Sequence, residues 1–414
     1  MKIGTGKSNV RDFREEVNEY EGKLEQELRA EGRERMRRKL EEYDQLGSGE
    51  LVKQGNYRSR GRVQRRVMTR FGEVEVMIHR YRGKDGKDIY PIERYCGIKR
   101  ITQGAARRAM RTVVERSYGW SSRYLTEESG MEMGRMKLWR LTQQEGARER
   151  KRVEEVQKKI FEKGDDRFQS GEEKGAARPP VIQIDGIMVP SREMVKMDSF
   201  GKKKMEVKVG VMYRGTEAVR SKGKRRRTIG REVYAEVSEA KDFGERFYGI
   251  CREHGLSTQE RVYGIGDGAP WIRGILWQMF PGSHYTLDLY HLKENASRVL
   301  VDHQEREFLS HVYQGQPRRA LEYLQTLRAS DTQHEVELKE FIGYIQDNLS
   351  GMYYRPGMVH GSGVVEKIVD IVVKKRMKRQ GMIWSRPGAN NLLALRTSFI
   401  NQYEKYRYPA VPQN

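Results

Sequence analysis

Cysteine is nearly absent: the 414-residue chain has only Cys96 and Cys251, far apart and without metal-ligand spacing. That excludes a zinc ribbon, an iron–sulfur cluster and a disulfide scaffold, and leaves oxygen donors to hold any metal. Long apolar runs are missing too. No stretch approaches the ~20 apolar residues needed to span a bilayer, and the first 25 or so residues alternate charges where a signal peptide would have an apolar core. The expectation is a cytoplasmic chain with no membrane partner. Acidic residues are in deficit, 58 against 80 Lys and Arg, for a formal charge of +22. The apolar content of 36% together with 42 glycines is that of an ordinary globular chain, and at roughly 150 residues per domain the length suits two or three domains.

The positive surplus is unevenly placed. Residues 1–50 hold 11 Lys/Arg against 13 Asp/Glu, whereas 51–150 hold 24 against 11, 201–232 hold 12 against 3, and 354–388 hold 8 against 2. Three separate basic zones suit a long polyanion, since each neutralised phosphate releases counterions and adds sequence-independent affinity. DNA or RNA is thus the expected partner. The competing reading is a solvated, solubility-enhancing surface. An anionic membrane finds no support, because no long basic amphipathic helix is present.

From Phe13 to Leu46 the apolar residues Phe13, Val17, Tyr20, Leu24, Leu28, Met36, Leu40 and Tyr43 recur mostly at three- and four-residue steps. This predicts one long amphipathic helix within 1–50, either half of a coiled coil joining two copies or packed on its own domain. Gly47, Gly49 and Gly55 are expected to break it. Alternation in 62–68 and 73–82 around Thr69-Arg70-Phe71-Gly72 predicts a basic β-hairpin. Helical runs at 104–117, Ser121–Glu128 and Met133–Gln144, with a break at Ser129-Gly130, outline a helix-turn-helix. Its second helix would present Arg135, Lys137 and Arg140, with Met136, Leu138 and Trp139 available for packing. Together these make 51–150 a DNA-binding region, followed by a linker over 151–180.

Beyond the linker the pattern becomes α/β. Strands are predicted at Val181–Val189, Met205–Tyr213, Glu232–Val237, Arg261–Ile265 and Ser283–Leu287, with a helix at Phe243–His254 and a basic insert at Lys222–Arg227. Residues 291–354 read as a helical insertion. A long helix, Val364–Arg379, opens after Gly361-Ser362-Gly363, and Ser385 with Pro387 fits the start of another through Leu395.

Two phosphate-binding patterns fail on inspection. Gly4-Thr5-Gly6-Lys7-Ser8 would need its leading glycine at Met1, and Gly264-Ile265-Gly266-Asp267-Gly268 lacks the third glycine spacing and carries an acid at its tip. The acids say more. Asp185 interrupts the most apolar strand, where an unpaired carboxylate is costly; an Asp-Gly turn or a buried ion pair would also account for it. Asp267 ends a strand, where open β/α sheets bind ligands, though a helix N-cap is the alternative. Glu366 stands at the head of a helix in a basic run whose only other acid is Asp370. Two strand acids and one helix acid facing a common point can hold two Mg²⁺ ions, with Mn²⁺ able to substitute. Ions roughly 3.5–4 Å apart suit an in-line phosphoryl displacement.

Asp185 in IQIDG, Asp267 in YGIGDGAPWI, Asp288-Leu-Tyr-His291 in TLDLYHL and Glu366 in GSGVVEKIVDIVVKKRMKRQGMIWS resemble the DDE transposases of bacterial insertion sequences, in the Mutator-related group. The Phe71-Gly72-Glu73-Val74 hairpin, the helix pair near Trp139 and the Trp384-Ser385-X-X-Gly388-Ala389 close extend the likeness over most of the chain. The resemblance implies a ribonuclease-H-like, mixed-sheet catalytic domain over 181–290 and 355–400, interrupted by the helical insertion 291–354 and followed by a tail at 401–414. It implies that Asp185, Asp267 and Glu366 form the catalytic, metal-holding triad. Asp288 and His291 would be the aspartate variant of a Cys-or-Asp, two residues, His motif that either contacts DNA near the cleavage point or braces the triad; a cap or packing role at the helix start is the other reading of His291. Trp271 and Trp384 read as core or base-stacking residues, and Lys374, Lys375, Arg376, Lys378 and Arg379 as a run that tracks a phosphate backbone. The expected activity is cleavage of DNA at the element's inverted ends and transfer of the 3′-hydroxyl to target DNA, by at least a homodimer. A non-catalytic DNA-binding regulator and a ribonuclease-H-like nuclease are the alternatives.

Overall fold

The computed structural model describes residues 9–164, 179–193, 196–197, 201–218, 226–228, 230–354, 360–379 and 381–407. Most of the basic insert Lys222–Arg227, much of the 151–180 linker and part of the basic run 354–388 lie outside the described residues. The chain divides into two compact units, Met1–Thr142 and Gln143–Asn414. No helix among the described residues is long and apolar enough to cross a membrane.

The first unit begins with helix α1 (Asn9–Lys53) and a three-stranded antiparallel sheet, β1 (Arg58–Thr69), β2 (Gly72–Arg82) and β3 (Asp88–Ile89), in that order. Residues Thr69 and Gly72 pair across the two-residue turn, and Val74, Val76 and Ile78 alternate into the core against exposed Glu73, Glu75 and Met77. That core also takes Leu40 of α1 and Ile92 of α2 (Pro91–Cys96). Polar contacts fasten the same half of α1: Asp44 Oδ2 accepts from the His79 backbone N–H at 2.8 Å, and Ser48 Oγ lies 2.7 Å from the Tyr81 hydroxyl. The helix does not break at Gly47 or Gly49 as expected. A side chain at Gly47 would meet Pro91 and Tyr95 at 3.0 Å or less, so this glycine permits close packing of α2.

Helices α3 (Gln103–Glu115), α4 (Tyr118–Ser129) and α5 (Arg135–Phe161) follow. Ser117 caps α4 through the Trp120 N–H, and Gly130 ends it in the left-handed conformation, with its N–H donating to Leu125 and Thr126 carbonyls. Leu138 is buried, but Met136 and Trp139 are exposed, so only one of the three residues expected to pack does so. Helix α5 runs on past Gln144 to Phe161, because Val153 and Val156 bury themselves along one stripe among the charges. The start of the expected linker is therefore helical.

The second unit is mixed α/β. Its main sheet has the order β11-β10-β4-β6-β5, with β9 also paired to β6. The strands are β4 (Val181–Pro190), β5 (Lys196–Met197), β6 (Lys203–Tyr213), β9 (Glu232–Glu236), β10 (Tyr263–Gly266) and β11 (His284–Leu287); β7 (Thr216–Ala218) and β8 (Arg226–Thr228) form a separate ribbon. Strands β4, β10 and β11 are mutually parallel, and β6 is antiparallel to β4. Alternation then sorts the side chains. Ile182, Ile184, Tyr285 and Leu287 face a core built with α6 (Ala240–Glu253), α7 (Pro270–Met279), α8 (Leu289–Val299) and the helices α9 (Asp302–Tyr313), α10 (Pro317–Thr326) and α11 (Thr332–Asn348). Val181, Val209, Val211 and Ile265 face the other core with α12 (Gly363–Val369), a π-helical turn (Asp370–Lys374), α13 (Lys375–Met377) and α14 (Arg386–Arg407). Helix α14 starts where Ser385 and Pro387 placed it but continues well beyond Leu395.

Candidate functional site

Three aspartates stand level on three neighbouring parallel strands: Asp185 inside β4, Asp267 just after β10 and Asp288 just after β11. The β10–β4 ladder pairs Gly264 with Ile182 and Ile265 with Gln183, and the β10–β11 ladder pairs Ile265 with Thr286 and Gly266 with Leu287. Carried on at the same offsets, the registers bring Asp267 level with both Asp185 and Asp288, and the Asp288 N–H still donates to the Gly266 carbonyl at 2.8 Å. The spacing of 82 residues between Asp185 and Asp267 is thus the register offset of two parallel strands. Period-two alternation puts Asp185 on the α12 side of the sheet with Gln183, opposite Ile182 and Ile184.

Asp185 makes no turn and Asp267 is no helix cap. Asp185 lies inside β4, which continues to Pro190, so it makes no turn; its Oδ1 accepts the Gly186 N–H at 2.7 Å. Asp267 does not cap α7, whose N-cap is Ala269; its Oδ1 instead accepts the Ala269 N–H at 2.9 Å. Gly268, in the left-handed region at φ 99°, makes that tight bend possible.

Asp288 is different. It is fully buried and caps α8, its Oδ1 accepting from the Tyr290 N–H at 2.6 Å and the His291 N–H at 3.3 Å. Its Oδ2 accepts the Ser362 N–H at 2.5 Å. One carboxylate therefore ties the start of α8 to the turn that opens α12. Ser362 in turn donates its hydroxyl to Glu366 Oε1 at 2.7 Å, holding the helix acid in place.

A second fastener went unrecognised in the sequence. Gln183 is fully buried, and its Oε1 accepts the Val365 N–H at 2.9 Å while its Nε2 donates to the Gly361 carbonyl at 3.0 Å and the Tyr213 hydroxyl at 3.1 Å. The signal was the one that singled out Asp185: a polar side chain in an apolar strand, on the same face. Buried amides are retained when fully satisfied, and here that satisfaction fixes the first turn of α12 against β4.

Asp288, His291 and Glu366 each offer one ligand atom, and the three atoms lie within 4.8 Å of one another. Asp185 borders the same space. Burial pushes its carboxyl up to about 6; the Gly186 N–H pulls it down, the charges of Asp267 and Glu366 raise it, and His291 lowers it. A half-buried carboxylate facing two others favours either a proton or a cation. The ligand atoms that converge among the described residues are thus those of Asp288, His291 and Glu366, with Asp185 near enough to feel the charges of Asp267, His291 and Glu366, and Asp288 serves first as a brace.

The remaining residues singled out in the sequence divide by exposure. Arg135, Lys137 and Arg140 are exposed on the first turns of α5, Lys137 lying 3.9 Å from Glu73. Lys374, Lys375, Lys378 and Arg379 are exposed, but Arg376 is buried under the Trp384 ring, 5.5 Å from its centroid, and so faces no phosphate backbone. The Trp384 indole donates to the Met377 carbonyl at 3.0 Å, and Trp271 packs on Phe243, so both tryptophans are structural.

The chain belongs to UPF0236, an uncharacterised protein family whose model matches residues 14–407. It is similar to two UPF0236 proteins of Caldanaerobacter subterraneus subsp. tengcongensis, each 30% identical over 146 residues, or 33% of this chain. The matched stretch spans 30% of one relative and 29% of the other.

Proposed function

We propose that the chain is a divalent-cation-dependent DNA transposase with a ribonuclease-H-like catalytic domain. What supports the reading is the strand register that sets Asp185, inside β4, level with Asp267, just after β10, together with the charges of Asp267 and of Glu366 on α12 acting on the Asp185 carboxyl. The donor set suits a hard cation: carboxylate oxygens, with one imidazole at the edge that Mn²⁺ tolerates better than Mg²⁺. Asp185, Asp267 and Glu366 would hold the cations. Bound there, divalent ions supply Lewis-acid stabilisation of the charge that builds on the transferring phosphoryl group.

The chain's own residues do the positioning. Gln183 and Asp288 lock the turn before α12, Ser362 orients Glu366, and the exposed Lys374, Lys375, Lys378 and Arg379 offer cationic contacts to a DNA backbone beyond it. The α3–α4–α5 arrangement, with Arg135, Lys137 and Arg140 exposed at the head of α5, supports reading of the element's ends by a helix-turn-helix. Water would attack the phosphodiester with departure of the 3′ oxygen, and that 3′-hydroxyl would then attack a phosphodiester of target DNA, expelling the target strand's own 3′ oxygen as a hydroxyl. One site serves both displacements.

The test is incubation of the full chain with Mg²⁺ and DNA carrying the inverted repeats that flank its coding sequence. Free 3′-hydroxyl ends and joined target products are expected. Cleavage without joining would make the protein a nuclease, and sequence-specific binding without cleavage a regulator; either result overturns the proposal.

A further inference from the structure

Helix α1 has two unlike halves. From Arg29 onward it is held, with the Arg29 guanidinium donating to the Glu127 carbonyl at 3.0 Å and Arg33 to the Phe71 carbonyl at 3.3 Å. From Phe13 to Leu28 every residue is exposed. That bare segment nevertheless carries an apolar stripe: Phe13 and Tyr20 are each 67% exposed, Val17 57% and Leu24 40%. The steps of four, three and four residues match a heptad with Val17 and Leu24 at a and Phe13 and Tyr20 at d. Four large apolar side chains in one stripe are more than a solvated helix face needs.

The charges beside the stripe indicate what covers it. Arg14 and Glu21 occupy e positions, and Glu16 and Lys23 occupy g positions. In a parallel pair of copies, g faces the e of the next heptad, so Glu16 would face Glu21 of the second copy, twice. In an antiparallel pair, e faces e and g faces g. With the two-fold axis between Asn18 and Glu19, Phe13 packs on Leu24 of the second copy and Val17 on its Tyr20. The same register sets Arg14 against Glu21 and Glu16 against Lys23, four opposite-charge contacts in all. Gly22 then points away from the seam, where nothing lies within 4 Å of its missing side chain.

We propose that residues Phe13–Leu24 of α1 pair antiparallel with the same residues of a second copy, making the chain a dimer independently of any DNA. The bare segment Phe13–Leu28 holds six Glu against one Arg and one Lys, which disfavours a nucleic acid as the occupant. This inference does not rest on the proposed activity, and the oligomer is read without DNA or metal.

Sedimentation equilibrium of the full chain in DNA-free buffer tests it. The wild type should be a concentration-dependent dimer. Arg14→Glu and Glu21→Arg should each weaken the dimer about tenfold, since each turns two attractions into two repulsions, and the double variant should restore it. A parallel pair predicts the reverse for Glu21→Arg, which would place Arg opposite Glu16 and tighten association. A monomeric wild type up to about 100 μM, a tightened Glu21→Arg dimer, or a double variant no better than the singles would each overturn the proposal. These positions are exposed, and unchanged far-ultraviolet circular dichroism confirms that the helix is retained in each variant.

Discussion

Asp185 inside β4, Asp267 just after β10 and Asp288 just after β11 are the same residue at the same level, and the protein uses them differently. Asp288, at the end of β11, is fully buried and accepts three backbone N–H groups. Asp185 and Asp267 are half-buried, and each accepts one backbone N–H on Oδ1. A carboxylate surrounded by backbone donors is a fastener between helices. A carboxylate with spare oxygen capacity, facing two others, is available to a ligand. The comparison therefore assigns roles within one row of identical side chains, and substitutions can separate them.

The largest expected effect is on activity with the fold intact. Asp185→Asn, Asp267→Asn and Glu366→Gln should each lower Mg²⁺-dependent strand cleavage by about a thousandfold or more, while the fold and binding to end DNA are retained. Asp288→Asn should show the opposite signature. The amide can turn only one oxygen toward the three donors, leaving a buried N–H facing another N–H, so stability should fall by about 2–3 kcal/mol in urea titrations. A catalytic loss without a stability loss at Asp288 would erase the distinction.

Gln183→Leu isolates the second fastener. It removes the acceptor for the Val365 N–H and the donor to the Gly361 carbonyl, and should cost about 1–3 kcal/mol, with cleavage reduced because Glu366 loses its placement. Rescue by Gln183→Glu is not expected, since a carboxylate cannot donate to Gly361.

A pH experiment sharpens the contrast on the ligand side. The Asp185 carboxyl is raised from its ordinary 3.8 to about 6, so the fold favours its protonated form. Stability from that preference is full below about pH 4 and is lost as pH rises through about 6, on the order of 3 kcal/mol at pH 7.5. In EDTA, Asp185→Asn should therefore melt above the wild type at pH 7.5, and the difference should close toward pH 4. Excess Mg²⁺ should reverse the order at pH 7.5, because only the wild type keeps the full ligand set. Equal melting of both proteins at every pH would show that Asp185 is solvated and uncrowded.

The smallest effect concerns the basic run, where the same division between fastener and free group recurs. Lys374, Lys378 and Arg379 are exposed, so replacing all three with alanine should flatten the salt dependence of DNA binding by up to about three units of slope. Arg376→Ala should leave that slope unchanged while destabilising the packing beneath Trp384.

Much of this arrangement was legible in the chain. The acid in the strand IQIDG stood out because burial without a partner is costly and the other because it ends a strand where β/α sheets bind ligands, and their separation is the ladder offset itself. What lay hidden depended on distant partners. Asp288 acts on Ser362, and Gln183 on Val365 and Gly361, across separations that no local pattern reveals. Gly47 carried the signature of a helix break, yet it makes room for Pro91 and Tyr95. Arg376 looked like its neighbours because helical phase within a charged run does not show where a π-helical turn, here Asp370–Lys374, shifts the buried face. Helix α5 outran its expected end because two buried valines outweigh many charges.

The most direct test of the central claim, that Asp185, Asp267 and Glu366 form one cation site braced by Asp288, is calorimetric titration of Mn²⁺ into the full chain at pH 7.5. The account predicts saturable binding in the wild type, weakened at least tenfold by Asp185→Asn, Asp267→Asn or Glu366→Gln. Affinity unchanged in all three variants, or no binding by the wild type, would contradict it.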